Sequence, residues 1–200
     1  MRNSTLVALL GAALFVLLAC VAALSDVRAS TVEKLDLAGL FERSEHVVHG
    51  RILKSSVKLG AHGRPETTYE VDVTTAFWGT SSGTLTFRTA GGALPDGREL
   101  VIPGLPKLAI GEEVLLFLTC ESKRGLRMPV GLAQGKFQVV RDEQGPATLL
   151  RGESELEFLD PTTHEPQKLS TRASLDFDAT ARELERLAGE RRDREAAARK

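Results

Sequence analysis

Alternation of apolar and polar residues is the strongest pattern in the middle of the chain. It is clearest in TYEVDVTTAF, residues 68–77, where apolar residues alternate with acidic and hydroxyl residues and predict a half-buried β-strand. The apolar residues predicted to share its inner face are Tyr69, Val71, Val73 and Phe77. HVVHGRILKSSV, residues 46–57, predicts another strand, with a bulge or bend at Gly50.

The segment EVLLFLTC, residues 113–120, is apolar at both parities. This pattern predicts a central strand that is covered on both faces of a sheet. Cys120 has the parity of the apolar residues Val114, Leu116 and Leu118. We therefore interpret Cys120 as a buried free thiol.

GLAQGKFQVV, residues 131–140, predicts a bend that leads into a half-buried strand. Phe137 and Val139 are expected to point inward, and Lys136 and Gln138 outward. Further short strands are predicted at residues 84–90, 126–133 and 147–152. Short strands between glycine- and proline-containing turns, without alternating helices, predict a mainly β fold: a small OB-like barrel or a sandwich.

Helical periodicity occurs near residue 40 and at the end of the chain. LDLAGLFERS, residues 35–44, predicts a short amphipathic helix. Residues 174–200 predict a longer amphipathic helix, capped by Asp176 or Asp178. Its apolar stripe consists of Phe177, Ala181, Leu184, Leu187 and Ala188.

The last part of this helix, beyond Gly189, is almost entirely charged residues and alanine. Glu190 and Arg194 have the spacing of an i,i+4 ion pair. We interpret the segment as a helix that docks on the β domain and frays into solvent. A partner-binding helix and a mostly disordered tail are the alternatives.

The first 29 residues predict an export signal. Arg2 and the uncharged apolar run of residues 6–24 are typical of a signal peptide, with cleavage after Ala29 or, alternatively, after Ser25. A lipoprotein signal anchored through Cys20 is the main alternative, and an uncleaved anchor is another. The protein is therefore expected to be secreted or periplasmic, with no membrane contact beyond this segment.

Removing the first 29 of the 200 residues leaves 171, enough for one domain with a substantial core. The formal net charge of −1 gives no basic face for nucleic acid. Without Cys20, Cys120 has no partner for an intramolecular disulfide, so the core must stabilise the fold. The predicted organisation is a signal peptide (1–29), an N-terminal helix segment (30–45), a β-barrel domain (46–160) and a linker with a C-terminal helix and charged tail (161–200).

Few residues in the sequence indicate catalysis or metal binding. The pattern G-x-S-x-G occurs at residues 79–83, but in a predicted turn between two strands rather than in the strand-to-helix turn of a nucleophile elbow. The chain contains no P-loop or dinucleotide fingerprint. His46 and His49 are three residues apart in a predicted strand, so their side chains are expected on opposite faces. His62 and His164 lie in turn-like stretches and are interpreted as solvated. No metal site and no cofactor are predicted.

Acidic residues offer only a weak case for an active site. Glu112 and Glu113 are adjacent and are expected to point apart on a strand, unlike an acid–base pair. An enzyme remains an alternative if residues distant in sequence, such as His49, Asp72 and Glu113, converge in the fold.

The candidate ligand-binding residues are Trp78, Arg88, Lys136 and Gln138. Trp78 is interpreted first as a lid on the core, and alternatively as an exposed recognition residue. Arg88 is expected to pair with Glu70 or Asp72 across the sheet, and the alternative is binding of a carboxylate.

Five segments together resemble a family of uncharacterised exported bacterial all-β proteins: EHVVHGRILKS, TYEVDVTTAFWG, TLTFRTAGG, GEEVLLFL and VGLAQGKFQV. The resemblance covers roughly residues 35 to 141. It implies no known activity, although members of the family are often associated with secreted metalloproteases.

More distantly, the order of helix, bent strand, tyrosine-containing strand and LLFL strand resembles the netrin-like domain. That domain is the OB-type barrel of tissue inhibitors of metalloproteinases. Those inhibitors chelate zinc through a cysteine at the mature N-terminus, where this chain has Ser30 or Asp26. The resemblance therefore implies the barrel and none of the inhibitory residues.

The absence of a catalytic motif and the loops rich in glycine and proline favour an exported non-catalytic binding protein. Loops at residues 78–83 and 91–106 are expected to hold a protein or peptide, most simply another exported protein. A protease-associated inhibitor or accessory protein is one form of this hypothesis. An envelope structural module that docks through the C-terminal helix is the alternative.

Overall fold

The computed structural model describes residues 31–80, 82–141, 145–151, 157–159, 166–168 and 174–199. The strands are β1 (Thr31–Glu33), β2 (His46–Leu59), β3 (Pro65–Trp78), β4 (Gly83–Ala90), β5 (Gly92–Ala93), β6 (Glu99–Leu100), β7 (Glu113–Leu118), β8 (Lys136–Val140), β9 (Thr148–Leu150), β10 (Glu157–Leu159), β11 (Pro166–Lys168) and β12 (Ser174–Asp176). The helices are α1 (Leu37–Glu42) and α2 (Phe177–Ala198), with a 3₁₀ turn at Leu132–Gly135. These elements confirm the predicted mainly β fold with a short helix near the N-terminus and a helix at the C-terminus.

Seven strands form one antiparallel sheet in the order β12-β9-β8-β7-β2-β3-β4. A smaller sheet joins β1 to β10 and β11, and β5 pairs with β6. The large sheet has two free ends because β12 and β4 do not pair with each other. No closed barrel is found in the described part of the chain, so the domain is built on an open sheet.

The central strand of the sheet is β7, as its apolar sequence predicts. Residues 114–118 are all buried, because alternate side chains enter two separate cores. One core, on the helix-covered face, contains Phe41, Val47, Leu115, Phe117, Phe137, Leu149 and Leu184. The other core, on the loop-covered face, contains Val48, Ile52, Tyr69, Val71, Phe87, Leu108 and Leu116.

The pairing of β2 with β3 shifts at Gly50, which confirms the predicted bulge. A Cβ on Gly50 would lie 2.2 Å from the backbone oxygen of Asp72. The neighbouring strand therefore approaches closer here than a side chain allows, and glycine makes the approach possible.

The irregularity at Gly50 also changes the face to which Phe77 belongs. Gly50 pairs with Val73 and His49 with Thr75, so Thr74 is the extra residue of a bulge and the alternation of β3 is inverted after it. Phe77 packs in the core of the helix-covered face. The prediction that Phe77 shares a face with the other apolar residues of β3 is wrong, because alternation does not continue through a bulge.

Helix α1 forms where the sequence predicts it. Asp36 caps the helix, since its side chain accepts a hydrogen bond of 2.7 Å from the Gly39 amide. Leu40 and Phe41 on the opposite side are completely buried. The short helix thus serves mainly to insert two side chains into the core of the helix-covered face.

Helix α2 docks on the same face through its predicted apolar stripe. Asp176, rather than Asp178, is the cap, because its carboxylate accepts from the Ala179 amide at 2.7 Å. The stripe buries Leu184, Leu187 and Ala188, with Phe177 and Ala181 partly buried beside them. The docked helix confirms the first interpretation of this segment, although the helix continues through the charged end to Ala198.

The predicted ion pair between Glu190 and Arg194 is not formed. Arg186 pairs with Glu190, one turn earlier, while Arg194 pairs with Glu42 of α1. The spacing alone could not show this, because α1 supplies a competing carboxylate from elsewhere in the chain.

The strand predicted at residues 126–133 is largely absent. A single bridge joins Pro129 to Leu118, and the chain then turns through Gly131, whose φ is 61°. Glycine favours this left-handed conformation, and it directs the chain into the 3₁₀ turn rather than along a strand.

Gln134 within this turn is completely buried and holds the N-terminal segment in place. Its Oε1 accepts a hydrogen bond from the Leu35 amide at 2.8 Å, and its Nε2 donates to the Glu33 carbonyl at 2.8 Å. The GLAQG motif is therefore a structural clamp between residues about a hundred positions apart.

Cys120 is exposed, so the prediction of a buried thiol is wrong. Strand β7 ends at Leu118, and the Thr119 amide donates to the Met128 carbonyl at 2.9 Å as the chain leaves the sheet. Parity with the strand therefore no longer determines where the Cys120 side chain lies.

The predicted signal peptide (1–29), Cys20 and His164 lie outside the described residues. Among the residues that the structure describes, no helix is both long and apolar enough to cross a membrane.

Candidate binding groove

A groove of about 310 Å³ lies on the loop-covered face beneath residues 91–108, and it is called here the 91–108 groove. This volume is at the lower end of the range of volumes of protein ligand sites, which begins at roughly 300 Å³. Its floor is formed by strands β2, β3 and β4, and its walls by β5, β6 and the proline-containing segment that follows. The floor residues include Ser55, Val57, Thr67, Tyr69 and Thr89.

The glycine pair after β4 sets the height of the groove. The Thr67 hydroxyl donates a hydrogen bond of 2.7 Å to the Gly91 carbonyl, which ties the loop to β3. Gly92 has a φ of 130°, and a Cβ there would lie 2.6 Å from the Thr67 Oγ1 atom. Only glycine lets the chain lie this close to the sheet. The glycine pair therefore determines the distance between the wall of the groove and the sheet.

Hydroxyl groups line the floor of the groove, and aliphatic side chains line its rim. Burial raises the pKa of Tyr69 above its usual value, and contacts with the Leu108 backbone and Thr67 oppose that effect only in part. Tyr69 therefore remains a neutral phenol at physiological pH. At the rim, the aliphatic side chain of Val101 is 64% exposed.

Lys136 supports one end of the groove. Its Nζ atom donates to the Lys107 carbonyl at 3.1 Å and forms an ion pair with Glu112 at 2.5 Å. Lys136 is half-buried on the loop-covered face. Lys136 lies on the opposite face of β8 from Phe137, as predicted, but its ammonium group is engaged in holding the wall of the groove.

Gln138 faces outward from β8, as the sequence predicts. Phe137 and Val139, between which it lies, are both buried, which confirms the alternation in this strand. Gln138 is not among the residues that line the groove.

Trp78 lies at another part of the molecule, against the core of the helix-covered face. Its ring meets Phe41 edge-on with centroids 5.9 Å apart. The guanidinium of Arg191, on α2, lies 4.5 Å from the Trp78 ring centroid. This arrangement agrees with the interpretation of Trp78 as a core lid.

A second, more open cavity of about 450 Å³ borders Trp78. It is also lined by Gly79 and by Arg191 and Arg192 from α2. Both loops that the sequence singled out therefore border a cavity, but on different sides of the sheet.

Arg88 pairs across the sheet, though not with the predicted partners. Its Nη1 lies 3.3 Å from a carboxylate oxygen of Glu66, and its Nη2 donates to the Arg124 carbonyl at 3.4 Å. Thr68 stands directly opposite Arg88, so Glu66 and Glu70 are its two diagonal neighbours. The predicted pairing with Glu70 or Asp72 is wrong, because Glu70 pairs with Lys54 of β2 instead and Asp72 lies opposite Thr84, farther along β4.

His49 and Glu113 do converge, at 2.8 Å between Nε2 and Oε1. Glu113 also binds Arg141 at 2.7 Å and lies 3.5 Å from Arg51. Arg141, and to a lesser extent His49, hold the pKa of the Glu113 carboxyl below its usual value in spite of burial. This carboxylate is therefore a stable anion in an ion-pair cluster.

The environment of His49 is closed rather than accessible. Its side chain is 5% exposed, and the ring of Phe177 covers it edge-on at a centroid distance of 4.8 Å. Its Nε2 is engaged by Glu113, and its Nδ1 is buried and has no hydrogen-bond partner within the described residues. Asp72 lies apart from this pair, as an exposed residue of β3.

His46 and His49 face opposite sides of β2, as their spacing predicts, since His46 pairs with Leu118 and His49 with Leu115. Burial, with a further contribution from Arg127, lowers the pKa of His46 below its usual value. Glu112 and Glu113 also point apart, toward Lys136 and Arg141 respectively. No group of three or more potential metal ligands occurs in the described ranges.

The sequence interpretation missed the floor of the 91–108 groove and the supporting role of Lys136. The floor residues were assigned to the core or to polar positions of strands, because nothing local shows which part of a sheet a loop leaves open. The available signals were the glycine pair and the exposed aliphatic residues in the loop that follows it.

Comparison with known proteins finds no matching family model, no matching curated protein and no matching solved structure.

Proposed function

We propose that the protein is a non-catalytic binding module that holds a segment of a partner protein in the 91–108 groove. The observation that carries this proposal is the groove itself, an open cavity with hydroxyl groups on its floor and a large exposed aliphatic side chain at its rim. Such a lining suits an uncharged, partly apolar segment that also offers backbone hydrogen-bonding groups.

The charges around the groove support the same class of ligand. Glu99 and Lys107 are exposed charged residues of the wall, so the wall carries one charge of each sign. Lys136 and Glu112 neutralise each other behind the wall. The groove offers no excess of opposite charge that would attract a strongly charged ligand. An apolar stretch of a polypeptide does not need such an attraction.

An exported partner is the proposed context, since the first 29 residues have the pattern of an export signal. An inhibitor or accessory protein of a secreted protease is one specific form of this proposal. This specific form rests on the family resemblance alone. Identifying the captured partner would show whether it is a secreted protease or another protein.

The test is a comparison of Val101→Asp with Leu53→Asp. Both residues are large, aliphatic and exposed, at 64% and 49%, but only Val101 lines the groove. The purified protein is immobilised, and partners from an extract of the producing cells are identified by mass spectrometry. We expect Val101→Asp to weaken capture of the main partner by about tenfold and Leu53→Asp to leave it unchanged. Equal capture by both variants would contradict the proposal.

A second candidate function is a structural module that binds its partner through α2. It is supported by the outer end of α2, where residues 192–199 are exposed. Deleting residues 192–199 abolishes partner capture in this case and leaves it intact if the groove is the binding site.

A further inference from the structure

The two edges of the seven-stranded sheet are unequal. β12 has three residues and runs directly into α2, which leaves little backbone open. β4 has eight residues, GTLTFRTA, with one charged residue and no proline, and it pairs with β3 without a bulge. Edge strands are usually protected by charges, prolines or bulges, because an open edge pairs with other strands.

The direction of the open backbone groups follows from one hydrogen bond. The Arg88 carbonyl accepts from the Arg127 amide at 2.8 Å, so the backbone of Arg88 points away from β3. Because alternate residues of an antiparallel strand point the same way, the amide and carbonyl groups of Thr84 and Thr86 also point outward. No strand in the described ranges pairs with these groups, which form a short open ladder along residues 83–87.

The hydrogen bond between the Arg88 carbonyl and the Arg127 amide also marks the end of this open ladder, and this point is called here the stop. Residues 121–127 cross the edge at Arg88, through a turn in which the Gly125 amide donates to the Ser122 carbonyl at 2.8 Å. A strand added beside residues 83–87 therefore cannot continue past Arg88. Its chain must end or turn away at this point.

A small cavity of about 180 Å³ lies at the stop, between Thr86, Arg88, Gly125 and Arg127. Arg88 is half-exposed, and its two side-chain contacts are long, at 3.3 and 3.4 Å. Because a guanidinium has five donors, Arg88 retains capacity for a further acceptor. Glu121 also lines this cavity and lies 3.6 Å from Arg127. Around the stop, four basic residues therefore face two acids, Glu66 and Glu121; the basic residues are Arg88, Lys123, Arg124 and Arg127.

We propose that the edge of β4 binds the C-terminal segment of a partner protein as an added strand, with its terminal carboxylate on the half-exposed guanidinium of Arg88. The segment runs parallel to β4 and pairs with the outward groups of Thr84 and Thr86. A terminal carboxylate accounts for both observations at the stop. The added strand ends where the open ladder ends, and its negative charge pairs with the excess of basic groups there. This edge site is separate from the 91–108 groove and does not depend on it.

The test uses a fluorescein-labelled hexapeptide of alternating serine and valine, with a free carboxyl terminus, and its C-terminal amide. Binding to the full-length protein is measured by fluorescence anisotropy. We expect the free acid to bind about tenfold more tightly than the amide, and Arg88→Gln to remove this difference. Arg98→Gln is the matched control, because Arg98 is an exposed arginine paired with Asp96 away from the edge, and it should retain the difference.

Backbone pairing is tested with Thr86→Pro, which removes an outward amide while leaving the ladder to β3 intact. We expect this variant to lose binding of both peptides, with Thr86→Val as the control that keeps the amide. If Thr86→Pro does not fold, amide chemical shifts of Thr84 and Thr86 on titration of the wild type provide the same information. We expect both shifts to change.

Three results would overturn the proposal: equal affinity for acid and amide, no binding of the free acid at millimolar concentration, or unchanged Thr84 and Thr86 amides. An amidated peptide ending in aspartate that binds as tightly as the free acid also overturns it, since a side chain would then replace the terminus. Val101→Asp should leave the difference in affinity between the free acid and the amide unchanged, so failure of the edge site and failure of the groove are distinguishable.

Discussion

The two faces of the central sheet are closed by different means. On the helix-covered face, α1 and α2 insert Phe41 and Leu184, both completely buried, into a continuous core. Arginines then cover its aromatic rings, with the Arg151 guanidinium 4.7 Å from the centroid of Phe137. On the loop-covered face, an irregular segment buries Leu108 but leaves Val101 exposed beside an open groove.

Under the proposed binding function, this difference separates the part of the sheet that stabilises the fold from the part that contacts a partner. A helix covers a sheet efficiently because its side chains project at regular intervals and its backbone groups bond internally. An irregular segment cannot fill the surface as completely, so it leaves a cavity and unmatched aliphatic side chains. We therefore expect substitutions on the helix-covered face to affect folding, and substitutions in the groove to affect binding.

The largest effect is expected for Leu184→Ala on α2. Leu184 is completely buried in the core of the helix-covered face, so the substitution removes packing and leaves a cavity. Its cost should be about 2–5 kcal/mol of unfolding free energy, measured by urea denaturation. Asp193→Ala, on the exposed side of the same helix, should change stability by less than about 0.5 kcal/mol.

The next largest effect is expected for Gln134→Ala in the 3₁₀ turn. The substitution leaves the Leu35 amide and the Glu33 carbonyl without their side-chain partner, which should cost about 1–3 kcal/mol. Gln138→Ala, four residues later but exposed, should cost less than about 0.5 kcal/mol. Similar unfolding free energies for the two variants would show that the clamp is not structural.

A smaller, pH-dependent effect is expected for Glu113→Gln, at about 1–2 kcal/mol near neutral pH. Since Arg141 lowers the pKa of Glu113 in the folded state, its stabilising contribution is complete above the ordinary carboxyl value of 4.5. The contribution is lost as the pH falls through the lower folded-state pKa. Urea denaturation at several pH values should show wild type and variant converging in acid, and a constant difference would contradict the role of the ion pair.

The smallest effect on folding is expected for Val101→Asp. Val101 is exposed, so the new carboxylate remains hydrated and the unfolding free energy should change by less than about 0.5 kcal/mol. Thermal unfolding, followed by circular dichroism, measures this directly. A large loss of stability would mean that the loop is part of the core and that the two faces do not differ as described.

Local patterns in the sequence were sufficient for most of the scaffold. The apolar run at β7, the glycine bulge in β2 and the stripe of α2 each depend on periodicity within one segment, and all three are present. Phe77 and Cys120 were misplaced for a related reason. A bulge shifts the alternation before Phe77, and the end of a strand removes it at Cys120.

The candidate sites could not be predicted in the same way because they join distant segments. The contact of His49 with Glu113 depends on the register between β2 and β7, which the residues of neither strand specify alone. The 91–108 groove depends on how far the loop after Gly92 stands above the sheet. Gln134 was missed because a polar residue among glycines has the pattern of a surface turn.

The most direct test of the account is to find which face contacts the partner. A photo-reactive phenylalanine analogue is placed at Val101, on the rim of the groove, or at Glu185, on the exposed side of α2. Crosslinked products formed with an extract of the producing cells are identified by mass spectrometry. The account predicts that one partner is crosslinked from Val101 and not from Glu185. Crosslinking of that partner from Glu185 alone would place recognition on the helix-covered face and contradict the account.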